Sequence, residues 1–268
     1  MKQETVQKIL QETEQGYDLM AEKFSQTRKH FWRGLEFIGR YAQSGSNVLD
    51  FGCGNGRLLE LLSGAAEMQY YGTDVSQRLL DLAQQRYQRP NVHFSKTSGQ
   101  ITLPSTNFNG HIKDRENRNF VQGENIKENK NKNLVLGLPL ADNFFNTAYS
   151  IAVFHHLPSK EYRADSAREL HRTVKSGGYV VITVWNLWQK KYLKNILQNW
   201  WKKITLRGDL DWNDCRISFA DNEGKQFQRF HHAFTKRELE ELFSAAGFSI
   251  ESCEVVGGRN IVLVGKKP

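Results

Sequence analysis

The feature that most constrains the fold of this sequence is a glycine-rich turn between a short apolar segment and a helical pattern. Residues 47–62 read NVLDFGCGNGRLLELL, with Gly52, Gly54 and Gly56 at alternate positions. Glycine lets the backbone adopt left-handed conformations and lets a ligand approach where a side chain would collide. The segment therefore predicts a strand, a ligand-binding turn and a helix, which together open a βαβ unit.

Strand and helix patterns alternate along the remaining chain and indicate an α/β fold. Apolar runs bounded by turn residues predict six further strands, with the sequences YYGTD, NVHFS, TAYSIAVFHHL, YVVITVW, FSIESCEVV and NIVLVG. The last two flank Gly257 and Gly258 and predict a hairpin. We expect a Rossmann-like, mostly parallel seven-stranded sheet with helices on both faces and an antiparallel hairpin at its C-terminal edge.

Local signals also predict where two of the helices begin and end. Ser76 is the predicted N-cap of a helix that runs to about Tyr87. Thr235 and Glu238 have the spacing of a capping box, and Gly247 is the predicted stop of the helix that follows.

The sequence is interpreted as one domain spanning residues 1–268, with three segments added to its α/β core. Residues 1–43 have a helical pattern and form a leader to the core. Residues 98–133 are rich in asparagine and lack apolar periodicity, which predicts a disordered surface insertion. Residues 186–230 are basic at their start and rich in tryptophan, and we expect them on the substrate side.

Composition excludes several classes of protein. Apolar residues make up 39% of the chain and charged residues 25%, as in globular rather than disordered proteins. Cys53, Cys215 and Cys253 lack the spacing of a disulfide framework or a cysteine zinc site, so we expect reduced thiols and no metal. The sequence shows neither a membrane-spanning run nor the apolar core of a signal peptide, which predicts a cytoplasmic protein. The net charge of +8 favours a polyanionic partner.

Two acidic residues narrow the identity of the ligand. Asp74 ends the second predicted strand, twenty residues after Gly54, where a carboxylate accepts hydrogen bonds from a ribose diol. Asp50 precedes Gly52 by two positions, so the loop reads DxGxGxG rather than the GxGxxG of dinucleotide sites. A carboxylate there suits an ammonium group and repels a pyrophosphate.

The DxGxGxG spacing resembles the signature loop of class I methyltransferases, which implies their fold and S-adenosylmethionine as the cofactor. The residues expected at the cofactor are Asp50, Gly52, Cys53, Gly54, Asn55, Gly56, Asp74, Val75, Ser76 and Ala152.

Several further segments are similar to the tRNA wobble-uridine methyltransferases that esterify a 5-carboxymethyl group. They are YDLMAEKFSQTRKHFW at 17–32, SIAVFHHL at 150–157, GGYVVITVW at 177–185 and QRFHHAFTKRELEELFSAAGF at 228–248. The resemblance implies a tRNA substrate and a small helper protein as a possible partner. It also implies substrate contacts by Tyr17, Arg28, Trp185, Asn186, Arg229 and His232.

His155 and His156 follow the fourth predicted strand at its C-terminal end, where open α/β sheets bind their ligands. We expect one of them to face the transferred methyl group. The sequence departs from the family pattern at Arg33, where proline is usual, and at Asn146, where aspartate is usual. The asparagine-rich insertion occupies the region where the family has an acidic loop near the adenine.

The basic segment 186–207 contains six basic residues and no acidic residue. Its spacing predicts a helix with Tyr192, Leu193, Ile196, Leu197 and Trp200 on one face and Lys190, Lys191, Lys194 and Lys202 on the other. Such a helix could contact tRNA phosphates, lie on an anionic membrane, or pack on the core as a lid.

Three functions are therefore open from the sequence. The leading hypothesis is methylation of a carboxyl-bearing wobble uridine in tRNA. The alternatives are methylation of a small, lipid or quinone acceptor, and a cofactor-binding or RNA-binding scaffold without catalysis.

Overall fold

Nine strands and six α-helices are present in the part of the chain that the computed structural model describes, residues 1–28, 30–65, 67–97, 141–220, 224 and 226–268. The helices are α1 Gln3–Thr27, α2 Leu58–Leu61, α3 Gln77–Arg86, α4 Lys160–Thr173, α5 Lys190–Ile204 and α6 Lys236–Ala245. The strands are β1 Asn47–Phe51, β2 Gln69–Asp74, β3 Val92–Lys96, β4 Phe145–Ile151, β5 Val174–Trp185, β6 Asp214–Ala220, β7 Gln226–His232, β8 Ser249–Val256 and β9 Asn260–Lys266. The predicted insertion at 98–133 lies outside the described residues.

Seven of these strands form one sheet in the order β3-β2-β1-β4-β5-β9-β8. The first five are parallel to one another, whereas β9 is antiparallel to both β5 and β8. The Rossmann-like class I methyltransferase fold expected from the sequence, with its C-terminal hairpin at one edge, is confirmed. The chain leaves β1 towards β2 on one side and returns as β4 on the other, which creates a crevice at the carboxyl ends of β1 and β4.

Both faces of the sheet are buried, which explains why its strands read as continuous apolar runs. Neighbouring residues point to opposite faces, so Val48 and Val181 pack in one apolar cluster while Leu49 and Ile182 pack in the other. The α4 and α6 helices cover the Leu49 face, and α2 and the 3₁₀ turn Glu36–Tyr41 cover the opposite face.

The two helix N-termini predicted from the sequence are confirmed. The Ser76 hydroxyl accepts the backbone N–H of Leu79 at 3.2 Å, and the Thr235 hydroxyl accepts that of Glu238 at 3.1 Å. The reciprocal half of the capping box is absent from the described contacts, because the Glu238 carboxylate accepts a hydrogen bond from His232 at 2.7 Å instead.

Strand boundaries differ from the prediction at β4. The strand begins at Phe145 and ends at Ile151, so the predicted continuation through VFHHL is wrong. Ala152 adopts a left-handed conformation with φ of 61°, and a 3₁₀ turn at Phe154–His156 follows. This early end of β4 turns the His155–His156 pair back across the end of the sheet. Within the described residues, we find no helix with the length and apolar character needed to cross a bilayer.

Candidate active site

A cavity that is partly open to solvent lies at the carboxyl ends of β1, β2 and β4 beneath α1. It occupies the crevice that the strand order creates. Its polar and aromatic lining residues include Thr13, Tyr17, Phe24, Arg28, Trp32, Arg57, Asp74, Thr97, His156, Tyr162, Trp185 and Arg229.

The glycine-rich loop forms one wall of the cavity. Gly52 and Gly54 line it, with φ of 78° and 55°. A Cβ atom on Gly52 would lie 2.2 Å from the Val153 side chain, so glycine is required there for space as well as for conformation. The backbone N–H groups of Gly52 and Cys53 donate to the Thr73 carbonyl at 2.7 and 2.9 Å, which ties the loop to the end of β2.

Asp74 links this loop to the cavity. Its carboxylate accepts the backbone N–H of Gly54 at 2.8 Å and that of Ser76 at 2.9 Å, and the side chain lines the cavity. Burial raises the Asp74 pKa to about 6, although both backbone donors act in the opposite direction. The two hydrogen bonds fix the orientation of the carboxylate beside the open space.

Asp50 lies behind the loop rather than in the cavity wall. The Tyr70 hydroxyl donates to Asp50 Oδ2 at 2.6 Å, while Oδ1 is buried and has no hydrogen-bond partner among the described residues. Burial raises the Asp50 pKa to about 7. The predicted contact of Asp50 with an ammonium group stays a prediction, because the structure places a tyrosine on one of its oxygens.

The other residues predicted at the cofactor divide into two groups. Val75 and Ala152 line the cavity, whereas Cys53, Asn55, Gly56 and Ser76 are buried outside its lining. The Asn55 amide donates to the Ser25 hydroxyl at 3.3 Å, which connects the loop to α1. A Cβ on Gly56 would lie 3.0 Å from the Tyr87 ring, so this glycine allows close packing rather than ligand approach.

A chain of hydrogen bonds crosses the cavity wall opposite the loop. Arg229 Nη1 donates to the Tyr17 hydroxyl at 2.9 Å, and Tyr17 is also 2.9 Å from His156 Nε2. His156 Nδ1 lies 2.9 Å from the Phe230 carbonyl, which can only accept, so Nδ1 carries the proton and Nε2 accepts from Tyr17. Burial and the nearby Arg229 lower the His156 pKa to about 3, so its ring is neutral at pH 7.

Arg229 presents an unused edge of its guanidinium. The side chain is 3% exposed and stacks over the Phe219 ring at 3.6 Å from the ring centre. Its Nε and Nη2 atoms are buried and have no hydrogen-bond partner in the described part of the chain. These two N–H groups form the edge that binds a carboxylate or phosphate through two parallel hydrogen bonds.

His155 does not line the cavity. It is fully buried, accepts the Trp185 backbone N–H at Nδ1 over 3.3 Å, and stacks against Trp185 and His231. Burial lowers the pKa values of His155 and His231 well below the usual range. The ligating atoms of His155, His156 and His231 lie within 4.8 Å of one another. Both nitrogens of His156 are already bonded and Arg229 adds a positive charge, so the geometry favours a neutral aromatic stack over a metal site.

The remaining residues predicted at the substrate fall in different places. Tyr17, Arg28 and Trp185 line the cavity with Arg229. His232 is buried outside it, with its two ring nitrogens bonded to Asp214 at 2.6 Å and Glu238 at 2.7 Å. Asn186 also lies outside the lining and donates to the Gly258 carbonyl at 3.1 Å. Substrate contacts by His232 and Asn186 stay predictions, and the hydrogen bonds that both side chains already make within the protein do not favour them.

Arg57 is a site residue that the sequence analysis missed. It is 8% exposed, lines the cavity and lies over the Trp32 ring at 4.2 Å from the ring centre. Burial and the positive charge of Arg28 lower its pKa to about 10. The available signal was its position directly after Gly56, because a basic residue at the end of a ligand-binding loop projects towards the ligand.

The unusual Asn146 lies at the amino end of β4, opposite the cavity. Its Oδ1 accepts the Asn47 backbone N–H at 3.0 Å and the Lys175 ammonium at 3.3 Å. The presence of asparagine where the family usually has aspartate therefore affects a contact between strands and not the wall of the cavity.

Comparison with known proteins identifies relatives of this chain. A family described as "Methyltransferase domain" matches residues 24–252. The chain is 31% identical over 169 residues to a tRNA (carboxymethyluridine(34)-5-O)-methyltransferase of Arabidopsis thaliana, covering 63% of this chain and 31% of the relative. It is 25% identical over 244 residues to the protein of the same name from Schizosaccharomyces pombe, covering 88% of each. The chain thus spans less than a third of the plant relative and most of the yeast one.

Solved structures share the fold. A SAM-dependent methyltransferase from Methanosarcina mazei aligns with a TM-score of 0.60 at 20% identity, covering 89% of this chain and 98% of that one. A chain from the complex between the Haloferax volcanii Trm112 methyltransferase activator and a methyltransferase aligns with a TM-score of 0.59 at 14% identity, covering 96% and 97%. At these identities the likeness concerns the fold alone.

Proposed function

We propose that this chain, an S-adenosylmethionine-dependent methyltransferase that belongs to the methyltransferase domain family, methylates a carboxylate on tRNA. The proposed acceptor is a 5-carboxymethyl wobble uridine, and the proposed product is its methyl ester. The names of the plant and yeast relatives support this choice of substrate. The expected cytoplasmic location stays a prediction.

The residues of the cavity fit the proposed cofactor. Gly52 and Gly54 line the cavity without side chains, and Asp74 presents a carboxylate suited to a ribose diol. We assign Arg28 and Arg57 to the carboxylate of its amino-acid end, because both line the cavity and interact electrostatically with each other. When bound, S-adenosylmethionine supplies a methyl group on a positively charged sulfur.

The observation that carries the proposed acceptor is the free edge of Arg229. A buried guanidinium with two unbonded N–H groups loses solvation without compensation, unless an anion binds it. Its Nη1 atom is held by Tyr17, so the Nε–Nη2 edge is already oriented for a planar carboxylate. No acidic side chain occupies that edge among the described residues.

The neutral histidines are consistent with a carboxylate nucleophile. A carboxyl group with a pKa near 4 is ionised at pH 7 and needs no general base. His156 is neutral and its Nε2 already accepts a hydrogen bond from the Tyr17 hydroxyl, so in this arrangement it positions Tyr17 rather than removing a proton. The contribution of the chain is then orientation of the acceptor, which is the main source of rate in an in-line transfer.

A small helper protein is a further part of the proposal. The support is that the Haloferax chain of similar fold comes from a complex with a methyltransferase activator. The assay should therefore be run with the chain alone and with an activator protein of that type.

The test is incubation with methyl-labelled S-adenosylmethionine and separate pools of total tRNA, lipid extract and small metabolites. We expect label in tRNA that is released by mild alkali, because a methyl ester is hydrolysed and ring or ribose methyl groups are not. We expect Arg229→Gln to abolish most of the transfer while S-adenosylhomocysteine still binds. Label confined to lipid or metabolites, or alkali-stable label in tRNA, would refute the proposed acceptor.

A further inference from the structure

The exposed side of α5 is a basic and aromatic surface that takes no part in lining the cavity. We define the outer face of α5 as its exposed residues Lys190, Lys191, Lys194, Leu197, Trp201 and Lys202. The Trp201 side chain is 69% exposed, although tryptophan is normally at least partly buried in a monomer. Neither the core nor the cavity uses this tryptophan.

The inner side of α5 is firmly attached to the protein, so the direction of the outer face is set. Ile196 is buried in an apolar cluster with Leu187, Cys215 and Ala233. The Asn199 amide donates to the Asp211 carbonyl at 2.8 Å. With one face of the helix already packed, the exposed residues are left available for a partner.

The charge on the outer face is uncompensated. Residues 186–207 contain six basic and no acidic residues. Across the described residues, none of the outer-face lysines forms an ion pair with a carboxylate. Lysines packed along one helix repel one another, and a bound polyanion relieves that repulsion.

The outer face continues the wall of the cavity. The Tyr192 ring stacks on Trp185, with ring centres 6.4 Å apart, and Trp185 lines the cavity beside Arg229. Lys190 and Lys194 therefore lie at the end of α5 nearest the cavity. Trp201 is about 16 Å further along the helix from Lys190, at 1.5 Å per residue.

The pattern on the helix favours RNA over a membrane surface. Lys190, Lys194 and Trp201 are four and seven residues apart, so they point in nearly the same direction. A helix that lies in a membrane interface separates its lysines from an exposed apolar face, whereas on α5 Ile196 and Trp200 pack in the protein and the exposed Leu197 and Trp201 lie among the lysines. Alternating cations and an aromatic ring suit phosphates and unpaired bases.

We propose that the outer face of α5 binds a single-stranded part of the RNA whose modified nucleotide enters the cavity. Lys190 and Lys194 contact phosphates next to that nucleotide, and Trp201 stacks on an unpaired base further along the strand. This inference rests on the proposed function, since it assumes a tRNA acceptor. Beyond the proposed function, it identifies the surface that binds the anticodon loop outside the cavity.

The test measures binding of an anticodon stem-loop RNA transcript at several salt concentrations. The variants are Trp201→Ala, the double variant Lys190→Ala with Lys194→Ala, and a charge-matched control on α6, Lys236→Ala with Arg237→Ala. We expect Trp201→Ala to weaken binding about 10-fold without changing the salt dependence, because a stacking contact carries no charge. The α5 lysine variant should reduce the slope of log K against log salt by about 1.4, for two lost single-strand phosphate contacts.

The control variant should bind RNA much as the original chain does, and all variants should bind S-adenosylhomocysteine equally, which also shows that they fold. The proposal is wrong if the α6 control loses as much affinity as the α5 variants, or if the α5 variants bind RNA normally. It is also wrong if Trp201 and the lysines instead govern binding to phosphatidylserine vesicles, a result that the exposed Ile204 and Leu206 beyond them would explain.

Failure of the proposed function gives a different result. If the chain transfers no label to tRNA but the α5 variants still lose RNA affinity as expected, the acceptor assignment fails and the RNA surface stands. If all α5 variants methylate tRNA with an unchanged KM, the surface assignment fails and the acceptor stands.

Discussion

Asp74 is the residue through which the glycine-rich loop and the cavity are coupled. Its carboxylate holds the backbone of Gly54 and Ser76, and the same group faces the space assigned to the ribose. Because it is buried, its hydrogen bonds act in a medium of low dielectric and are correspondingly strong. Loss of its charge should therefore affect ligand binding more than an exposed acid would.

Asp74→Asn should weaken S-adenosylhomocysteine binding by roughly 10- to 100-fold, the range for a hydrogen bond to a charged group. The amide is nearly the same size but has a single acceptor oxygen, so it keeps only one of the two hydrogen bonds from the Gly54 and Ser76 backbone. Isothermal titration calorimetry measures the change, with Asp81→Asn on the exposed side of α3 as the control. Equal affinity of the Asp74 variant and the original chain would remove Asp74 from the site.

The affinity should also depend on pH through the same carboxyl. Burial raises the Asp74 pKa to about 6 in the free protein, and the diol binds the deprotonated form. Affinity is then constant well above pH 6 and falls as the pH decreases through about 6, since protonation removes the acceptor. Calorimetry at roughly pH 5.5, 6.5 and 7.5, a range in which folded proteins are normally stable, measures this dependence. The affinity of the Asp74→Asn variant, used as the reference, should change less with pH than that of the original chain.

Tyr17→Phe should separate acceptor binding from cofactor binding. The substitution removes the hydroxyl that joins Arg229 Nη1 to His156 Nε2, but it retains the ring. Arg229 then loses its orientation, so we expect a higher KM for tRNA and unchanged affinity for S-adenosylhomocysteine. Steady-state kinetics with varied tRNA tests this, and an unchanged KM would mean that Arg229 is positioned by its ring contacts alone.

Among the elements, α1 closes the cavity and is held at both its flanks. Arg216 of β6 pairs with Glu12 at 2.6 Å, and Lys23 donates to the Ala220 carbonyl at 2.7 Å. On the other side the Ser76 hydroxyl donates to Asp18 at 2.6 Å. The helical pattern of residues 1–43 was recognised from the sequence, but its function as a cavity wall arises from these contacts with distant elements.

Ser76→Ala should destabilise the fold and loosen α1 together. The hydroxyl caps α3 and also donates to the Asp18 carboxylate, so both interactions are lost at once. We expect the free energy of unfolding to fall by about 2–5 kcal/mol, from a lost N-cap and a charge-assisted hydrogen bond. Urea denaturation measures this, and Asp18→Asn, which retains the cap, should lose less than Ser76→Ala.

At the scale of the whole molecule, seven of the described strands form one continuous open sheet at the centre of the core. The parallel strands and the C-terminal hairpin are paired edge to edge from β3 to β8, and both faces carry apolar clusters. The predicted insertion at 98–133 falls in the connection between β3 and β4, two strands that are not neighbours in the sheet.

Replacement of residues 100–132 by a short Gly-Ser linker should leave a folded protein. Long polar segments bury little surface, and shortening them changes the entropy of loop closure only slightly. Differential scanning calorimetry should show one cooperative transition, and S-adenosylhomocysteine should still bind. A chain that melts without cooperativity would show that this segment belongs to the core.

Local features of the fold were predictable from the sequence alone. The loop, the helix caps at Ser76 and Thr235 and the hairpin at Gly257–Gly258 each depend on residues close together in the chain. Their geometry follows from glycine conformation, short side-chain hydrogen bonds and apolar periodicity, which act over a few residues. The mostly parallel sheet with its C-terminal antiparallel hairpin was predictable as well, because alternating strands and helices admit few topologies.

Only the tertiary structure decided which polar residues face the cavity. Asp50 is placed behind the loop by Tyr70, and His232 is bonded between Asp214 and Glu238, although the sequence presents both as ligands. Arg57 enters the wall and Arg229 keeps a free edge because of what packs around them. The reason is physical: whether a buried polar group is available to a ligand depends on hydrogen bonds between residues far apart in sequence, which no local pattern specifies.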